Sequence, residues 1–256
     1  MDLDLRAVDL DLLNSLTKYP SIATYHALDP SNGQLLDQPT SFFGPVLLTE
    51  KIDGTNVRIV CIPGGDYLLG SRSEFLLAKG DLIGNPALGI VDALRDVAEN
   101  VAAQQVAGTF RVYFSEFYGH KVTQAAKEYT GEGRVGFRLF DIAEIPDFAE
   151  RMRENRAAIS EWRESGGQTF LSESALQIEA SRLNLQLTPR LGEVDSLPAG
   201  LEETIAFLEK RIPVSLSALD SSARNQAEGI VARSLDRSQI AKIRYADYRR
   251  TLRGRK

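Results

Sequence analysis

The sequence predicts an α+β fold in which antiparallel sheets enclose a helical excursion. Segments with strand-like apolar patterning come first, segments with a helical apolar period occupy about 146–213, and two more strand-like segments follow. Strands followed by helices and then by strands are typical of α+β proteins rather than of a regular strand–helix alternation. We therefore interpret the 256 residues as a single domain with a helical insertion.

The individual segments follow from apolar spacing and from the turn residues between them. Helical spacing predicts helices at 5–18 and 86–106, with Pro86 near the first turn of the second. Apolar runs predict strands at 46–52, 56–62, 67–76, 109–119, 134–142, 228–234 and 239–247. Helical segments at 147–165, 172–185 and 199–212 form the excursion.

Composition argues against several classes of protein. Hydrophobic residues make up 43% of the chain, yet no apolar run approaches the length of a membrane span. The acidic start "MDLDLRAVDLDLLNSL" lacks the basic and apolar regions of a signal peptide. Cys61 is the only cysteine, is expected to be buried, and allows no internal disulfide. These features favour a cytoplasmic protein without a membrane partner.

The net charge of −5 argues against a protein that coats nucleic acid over its whole surface, but the charge is unevenly distributed. After Ala241, Asp247 is the one acid among seven bases, which are Lys242, Arg244, Arg249, Arg250, Arg253, Arg255 and Lys256. These bases could neutralise the phosphates of a polynucleotide, or they could belong to a solvated terminus.

The stretch "LLTEKIDGTNVRIV" (47–60) places a lysine between an apolar run and an Asp-Gly turn. Asp-Gly between strands is typical of a hairpin, so this lysine is either solvated beside a turn or part of a site. Charged residues recur inside or at the ends of predicted apolar strands, namely Lys51, Arg72, Glu116, Glu228, Lys242 and Arg244. Because burying one unpaired charge is costly, we expect these residues to face one another or a shared polar ligand. Several cations together with two carboxylates suit a nucleotide, because its phosphates can meet the cations and its ribose can meet a carboxylate.

Five ordered motifs resemble those of the covalent nucleotidyltransferases, which include ATP-dependent DNA ligases, RNA ligases and mRNA-capping guanylyltransferases. The motifs are "KIDGTN" (51–56), "SEFYG" (115–119), "FRLFDI" (137–142), "EGIVAR" (228–233) and "AKIR" (241–244). The form "EKIDGTN", followed by "GSRSEFL", is most similar to the RNA-ligase branch. The resemblance spans 47–248 and implies an ATP-grasp-like adenylation domain built on antiparallel sheets.

The resemblance also implies a catalytic set. Lys51 would attack the α-phosphate of ATP and form lysyl-AMP, while Lys242 and Arg244 would hold that phosphate. An amine attacks only when neutral, and neighbouring cations lower the pKa of a lysine from its ordinary value of about 10.4. The family usually has lysine where this chain has Arg244, so a forked guanidinium replaces a point charge.

The remaining matched residues are implied to bind the nucleotide and a metal ion. Arg72 would contact the ribose or a substrate phosphate, Glu116 would accept a hydrogen bond from a ribose hydroxyl, and Phe137 would stack on adenine. Phe140 is expected in the core. Glu228 would help to place Mg²⁺ or Mn²⁺, and the nucleotide-binding set also includes Glu50 and Asn56.

The sequence therefore predicts an ATP-dependent RNA ligase that joins 5′-phosphate to 3′-hydroxyl ends of RNA or another polynucleotide. A stand-alone adenylyltransferase and the adenylation domain of a DNA ligase are alternatives. A non-catalytic nucleic-acid-binding module is a third alternative, against which the intact Lys51 argues. No oligonucleotide-binding barrel of about a hundred residues is evident, so the basic end or a partner protein is expected to clamp the strand.

Overall fold

The computed structural model describes residues 5, 7–78, 81–85, 87–106 and 108–254. The predictions for Pro86, Arg255 and Lys256 lie outside these residues. Strands within them are β1 (His26–Leu28), β2 (Leu35–Pro39), β3 (Val46–Lys51), β4 (Thr55–Cys61), β5 (Tyr67–Ser71), β6 (Phe75–Ala78), β7 (Asp81–Leu82), β8 (Arg111–Gly119), β9 (Val135–Glu144), β10 (Thr169–Phe170), β11 (Arg190–Val194), β12 (Gly229–Ser234) and β13 (Ile240–Arg244).

Helices separate and follow these strands. They are α1 (Leu10–Leu16), α2 (Ile90–Ala103), α3 (Ala126–Tyr129), α4 (Phe148–Arg151), α5 (Arg156–Glu164), α6 (Glu173–Arg182), α7 (Leu201–Arg211) and α8 (Tyr245–Gly254). None of the helices in the described part of the chain combines the length and the hydropathy that crossing a membrane requires.

The strands form two large antiparallel sheets and one hairpin. The seven-stranded sheet has the order β10-β9-β8-β4-β5-β6-β7, the four-stranded sheet has the order β11-β3-β12-β13, and β1 pairs with β2. These sheets confirm the predicted α+β class with antiparallel sheets. Each sheet is open in strand order, so the described residues form no closed barrel.

Helices cover both faces of the seven-stranded sheet and one face of the four-stranded sheet. On the seven-stranded sheet, α2 packs on one face through residues such as Leu94, and α1 packs on the other through Leu16. On the four-stranded sheet, α7 and α8 contribute Leu208 and Tyr248 to the buried core. The opposite face of this sheet carries Lys51 and is turned towards the seven-stranded sheet.

Several parts of the fold differ from the sequence-based prediction. The strand predicted at 239–247 ends at Arg244, because the chain turns into α8 at Tyr245, and the helix predicted at 147–165 is divided into α4 and α5. The predicted strand at 67–76 is two strands, because a tight turn between Ser71 and Glu74 separates β5 from β6. The predicted helical excursion also contains β10 and β11, and β11 pairs with β3 at the edge of the four-stranded sheet. The hairpin of β1 and β2 was not predicted from the apolar pattern.

The residues between α1 and β2 complete the outer edge of β13. The Lys242 N–H donates to the carbonyl of Ala23, the Tyr25 N–H donates to the carbonyl of Lys242, and both distances are 2.9 Å. Buried His26 fixes this segment through its two ring nitrogens, 2.6 Å from the Tyr248 hydroxyl and 2.8 Å from the Ala199 carbonyl. The segment therefore positions the backbone of Lys242.

Candidate active site

A cavity of about 330 Å³ lies between the two large sheets. Its lining includes six residues that the sequence predicts for the site, namely Glu50, Lys51, Asn56, Arg72, Glu116 and Lys242. Other lining residues were not predicted, among them Tyr19, Ile22, Phe140, Asp141, Thr188 and Arg233. Three predicted residues, Phe137, Glu228 and Arg244, do not line this cavity. We call it the nucleotide cavity, after the ligand that the sequence predicts.

Lys51 ends β3 and forms an ion pair with Glu228. The Nζ–Oε2 distance is 2.7 Å, and both side chains are mostly shielded from water. Gly229 lies opposite Lys51 in the sheet, and a Cβ there would approach the Ile243 carbonyl oxygen to 2.0 Å. Only glycine therefore allows β13 to pack this close. Burial raises the pKa of Glu228 above its ordinary value, although the charge of Lys51 opposes that shift.

Lys242 lies on the same face of the four-stranded sheet as Lys51. Lys242 pairs with Val231, and Val231 pairs with Thr49, which is two residues before Lys51 and hence on its face. Burial lowers the pKa of Lys242, and the charges of Arg244 and Lys51 lower it further. Two lysines on one face thus create a positively charged wall suited to phosphate.

The structure places Arg244 differently from its predicted position. Its guanidinium forms a two-point ion pair with Asp247 in the first turn of α8, at 2.7 Å and 3.1 Å. This pairing directs the guanidinium to the helix rather than to the nucleotide cavity. A predicted direct contact of Arg244 with the α-phosphate is therefore not supported by this geometry, whereas its charge still acts on Lys242.

Arg72 reaches the nucleotide cavity from the tight turn between β5 and β6. Buried Arg58 holds that turn, because its Nη1 donates to the Ser71 carbonyl at 2.7 Å. Asn14, which lies on α1, donates from its side-chain amide to the Ser73 carbonyl, and the hydrogen bond is 2.9 Å long. The turn is thus fixed on both sides, and exposed Arg72 projects from it at the rim of the cavity.

Glu116 and Asn56 lie opposite each other on β8 and β4. The Glu116 carboxylate accepts a hydrogen bond from the Gly54 N–H at 3.1 Å. A Cβ on Gly54 would stand 2.3 Å from the carbonyl oxygen of Phe117, so the glycine of "KIDG" permits this close approach. Burial raises the pKa of Glu116 from 4.5 to about 7, against the opposing effect of Lys51.

We expect this pKa to make stability depend on pH. Because the folded protein holds the Glu116 proton more tightly than the unfolded chain does, stability falls as the pH rises from 4.5 to about 7. Glu116→Gln mimics the protonated form, so its stability should not fall in this way as the pH rises. The free energy of unfolding of the variant minus that of the wild type should therefore increase by up to about 3 kcal/mol between pH 4.5 and about 7. Urea titrations on both sides of the range measure the difference, with Glu202→Gln on exposed α7 as control. A difference that does not change with pH would contradict the assignment.

The predicted stacking residue lies on the wrong face of the seven-stranded sheet. Phe137 packs against the core that contains Leu139. A β-bulge follows Leu139, because Ser115 pairs with Leu139 while the preceding Phe114 pairs with Asp141. Phe140 lies on the face of β9 opposite to Phe137 and Leu139, and the bulge turns Asp141 towards the nucleotide cavity as well. Tyr19 and Phe140 form a T-shaped pair with ring centres 5.0 Å apart. Phe140, which the sequence assigned to the core, is therefore the aromatic ring available for stacking.

Glu50 also differs from its prediction. Its side chain is buried on the opposite face of β3 from Lys51, since successive side chains in a strand alternate. Its carboxylate accepts hydrogen bonds from the Leu216 N–H at 3.0 Å and from the Ser217 hydroxyl at 2.8 Å. Its backbone thus lines the cavity while its carboxylate anchors the loop after α7.

Asp141 is the centre of a buried polar network beneath Phe140. Its carboxylate accepts from the Tyr19 hydroxyl and from Arg237 Nε, both at 2.6 Å. Arg233 on β12 contacts the same carboxylate at 3.4 Å and also pairs with Glu173 on α6. The network ties β9 of one sheet to β12 of the other and so fixes the width of the nucleotide cavity.

Among the contributors to the cavity wall that sequence reasoning missed, two differ in how visible they were in the sequence. Asp141 had a visible signal, since it is a charged residue within the apolar strand motif "FRLFDI". The segment from Tyr19 to Ile22 had none, because its position depends on pairing with a strand near the other end of the chain. The nucleotide cavity therefore combines local motifs with one long-range wall.

A family model described as RNA ligase matches residues 44–244. The chain belongs to the RNA ligase family. No curated protein sequence matches the chain.

Solved structures of Naegleria gruberi RNA ligase share the fold. The structure with PPi has a TM-score of 0.54 and 16% identity, covering 82% of this chain and 52% of the other. A mutant with ATP and Mn has a TM-score of 0.57 and 16% identity, covering 92% and 62%. A mutant with AMP and Mn has a TM-score of 0.55 and 16% identity, covering 91% and 63%. The chain thus spans between half and two thirds of the length of these structures.

Proposed function

We propose that this protein is an ATP-dependent RNA ligase that works through lysyl-AMP formed on Lys51. The position of Lys51 carries the proposal, because its amine lies in the nucleotide cavity beside Glu228 while Lys242 and Arg72 line the same space. Membership in the RNA ligase family supports RNA ends as substrate. The Naegleria gruberi structures with ATP and Mn, with AMP and Mn and with PPi support ATP as the nucleotide.

In the first step, the Lys51 amine attacks the α-phosphorus of ATP. A P–N bond forms, and the bond between the α-phosphorus and the leaving pyrophosphate breaks. The lysine must first lose a proton, and Glu228 Oε2 lies 2.7 Å from Nζ to accept it. Because burial raises the pKa of Glu228, this carboxylate accepts a proton more readily than an exposed glutamate does. Lys242 would balance charge on the α-phosphate.

Glu228 and Glu116 fit a divalent cation such as Mg²⁺ or Mn²⁺. Glu228 pairs with Lys51, and Glu116 lines the cavity that Lys51 enters, so both carboxylates lie near the reacting amine. Burial is the main cause of the raised pKa of Glu116, and the nearby charge of Glu228 adds to it. The described residues contain no group of three or more His, Cys, Asp or Glu side chains around one point. This donor set fits Mg²⁺, which proteins commonly hold with one or two carboxylates plus substrate phosphates. A bound ion would stabilise negative charge on the transferred phosphoryl group.

Two further transfers complete the proposed reaction. In the second step, the 5′-phosphate of an RNA strand attacks the lysyl-AMP phosphorus, which breaks the P–N bond and leaves AMP on the strand. In the third step, a 3′-hydroxyl attacks the adenylylated 5′-phosphate, forming a phosphodiester and releasing AMP. Lys242, on the wall of the nucleotide cavity, stabilises the charge that develops in each transfer.

The proposal is tested with ATP labelled at the α-phosphate, in the presence of Mg²⁺ or Mn²⁺. We expect a labelled protein band after denaturing electrophoresis, loss of that label on adding pyrophosphate, and its transfer to 5′-phosphorylated RNA. Sealed RNA distinguishes a ligase from a stand-alone adenylyltransferase, and a parallel reaction with nicked DNA identifies a DNA ligase. Stronger labelling by GTP than by ATP would contradict the proposal in favour of capping chemistry.

We expect Phe140→Ala to raise the KM for ATP by roughly tenfold, because stacking on an aromatic ring contributes about 1–3 kcal/mol per base. Phe137→Ala is the matched control, since it removes the same ring from the opposite face of the sheet. Initial rates of lysyl-AMP formation against ATP concentration provide the measurement. An equal rise in KM for both variants would show that the loss reflects packing rather than stacking.

A further inference from the structure

A second groove begins on the far side of the Lys51–Glu228 ion pair. It has a volume of about 250 Å³ and is lined by Asp53, Glu128, Tyr129, Glu228, Tyr245 and Arg249, among others. A smaller cavity of about 150 Å³ continues it and shares Gln226, Ala227, Tyr245 and Arg249 with it. We call the two together the α8 groove. Since Glu228 lines the groove while its ion-pair partner Lys51 lines the nucleotide cavity, the two spaces meet at the reacting amine.

The floor of the α8 groove presents a flat cationic surface. Tyr245 is buried, and its hydroxyl donates to the Ile212 carbonyl at 3.1 Å, which fixes the ring. Arg249 is one helical turn further along α8, and its guanidinium lies over the Tyr245 ring at 4.8 Å. Arg249 is itself exposed and lines both parts of the groove, so its guanidinium is accessible to a ligand there. Guanidinium planes of this kind stack on unpaired RNA bases.

The other groups in the α8 groove select the kind of nucleotide that fits. Asp53, Glu128 and Glu228 are carboxylates, so the wall accepts hydrogen bonds and repels phosphate. A terminal ribose with free 2′- and 3′-hydroxyls donates such hydrogen bonds, whereas a terminal phosphate would meet like charge. The nucleotide cavity, in contrast, offers Lys51, Lys242 and Arg72 to phosphate. The charges of the two spaces therefore suit opposite ends of an RNA junction.

We propose that the α8 groove binds the 3′-hydroxyl-terminal nucleotide of the acceptor RNA strand. This inference rests on the proposed ligase function and adds a subsite to it. The base of that nucleotide stacks on Arg249, and its ribose hydroxyls face Asp53 and Glu228 beside Lys51. The RNA ligase family match ends at Arg244, so Tyr245 and Arg249 belong to a part of the chain that the match does not cover.

Binding to short oligoribonucleotides tests the α8 groove directly. The probes carry a fluorophore at the 5′ end and differ only in a 3′-hydroxyl or a 3′-phosphate, and fluorescence anisotropy gives the Kd of each. We expect the hydroxyl end to bind several-fold more tightly, and Arg249→Ala to weaken its binding by roughly tenfold through loss of stacking. Arg250→Ala is the control, because it removes the same charge at the adjacent position, where the guanidinium contacts the Gly33 carbonyl and Asp247 instead.

A conservative variant separates stacking from charge. Arg249→Lys keeps the charge but lacks the planar guanidinium, so we expect it to bind the hydroxyl end as weakly as Arg249→Ala does. Equal Kd values for the two probe ends would overturn the proposal. Equal effects of Arg249→Ala and Arg250→Ala, or full recovery in Arg249→Lys, would overturn it as well.

Failure of the α8 groove is distinguishable from failure of the ligase function. With a pre-adenylylated donor strand, Arg249→Ala should raise the KM for the acceptor strand while labelling of Lys51 by ATP stays at the wild-type level. If the wild-type protein forms lysyl-AMP and seals RNA but shows no preference for hydroxyl ends, the ligase function stands and the proposed role of the α8 groove fails. If the protein prefers hydroxyl ends through Arg249 but takes no label, the role of the groove stands and the ligase function fails.

Discussion

Lys51→Ala should abolish covalent labelling of the protein by α-labelled ATP. The amine of Lys51 lies in the nucleotide cavity with Glu228 at 2.7 Å, and alanine leaves no nucleophile at that position. We expect labelling to fall to background, a loss of at least about a thousandfold, because without its nucleophile the covalent step cannot occur. Denaturing electrophoresis after incubation with ATP and Mg²⁺ measures it.

The control for this prediction is another lysine. Lys210 is exposed near the end of α7, so Lys210→Ala should be labelled as wild type is. Circular dichroism of both variants confirms that each retains its fold. Labelling of Lys51→Ala at the wild-type level would identify a different nucleophile.

Asp141→Ala should lower the free energy of unfolding by about 3–5 kcal/mol, which is the usual effect of removing one partner of a buried ion pair. The carboxylate is fully buried and binds Arg237, Arg233 and Tyr19. Burial opposes the charge on Arg237, but Tyr19 and Asp141 outweigh it and raise the pKa of that guanidinium. Without Asp141, two arginine charges lose a buried partner.

Urea denaturation measures this loss as a lower transition midpoint. Glu132→Ala is the matched control, because Glu132 also pairs with an arginine, Arg134, but both side chains are about half exposed. An exposed pair contributes at most about 1 kcal/mol, so the midpoint of the control should change little. Equal shifts in the two variants would mean that the buried network does not stabilise the fold.

The apolar runs predicted much of this fold because the central strands are buried along most of their length, as β4 and β8 are. The motif residues at the ends of or within such strands, Lys51 on β3, Glu116 on β8 and Lys242 on β13, meet at one cavity. Phe137 was misplaced because it pairs with Phe117 and so lies on the face away from Glu116, and the sequence motif alone does not give that register.

Other features differ in whether they depend on residues close together in the sequence or on residues far apart. The pairing of Arg244 with Asp247 is local, but the sequence predicted a strand through Asp247, so the start of α8 that brings the two residues together was missed. The wall formed by Tyr19 and Ile22 could not be inferred from the sequence, because it depends on tertiary contacts between distant parts of the chain. The α8 groove likewise requires Asp53 and Arg249 to meet in space.

The edge pairing beside Lys242 affects the order in which the molecule assembles. His26 and Tyr248 are 222 positions apart in sequence, yet both belong to the structure that holds Lys242 in place. Contacts between such distant positions form slowly, since the intervening chain must give up its conformational freedom first. The seven-stranded sheet consists largely of neighbouring hairpins and can form earlier. During refolding, native fluorescence and secondary structure should therefore recover before nucleotide binding does. The nucleotide cavity would then be the last part of the molecule to form.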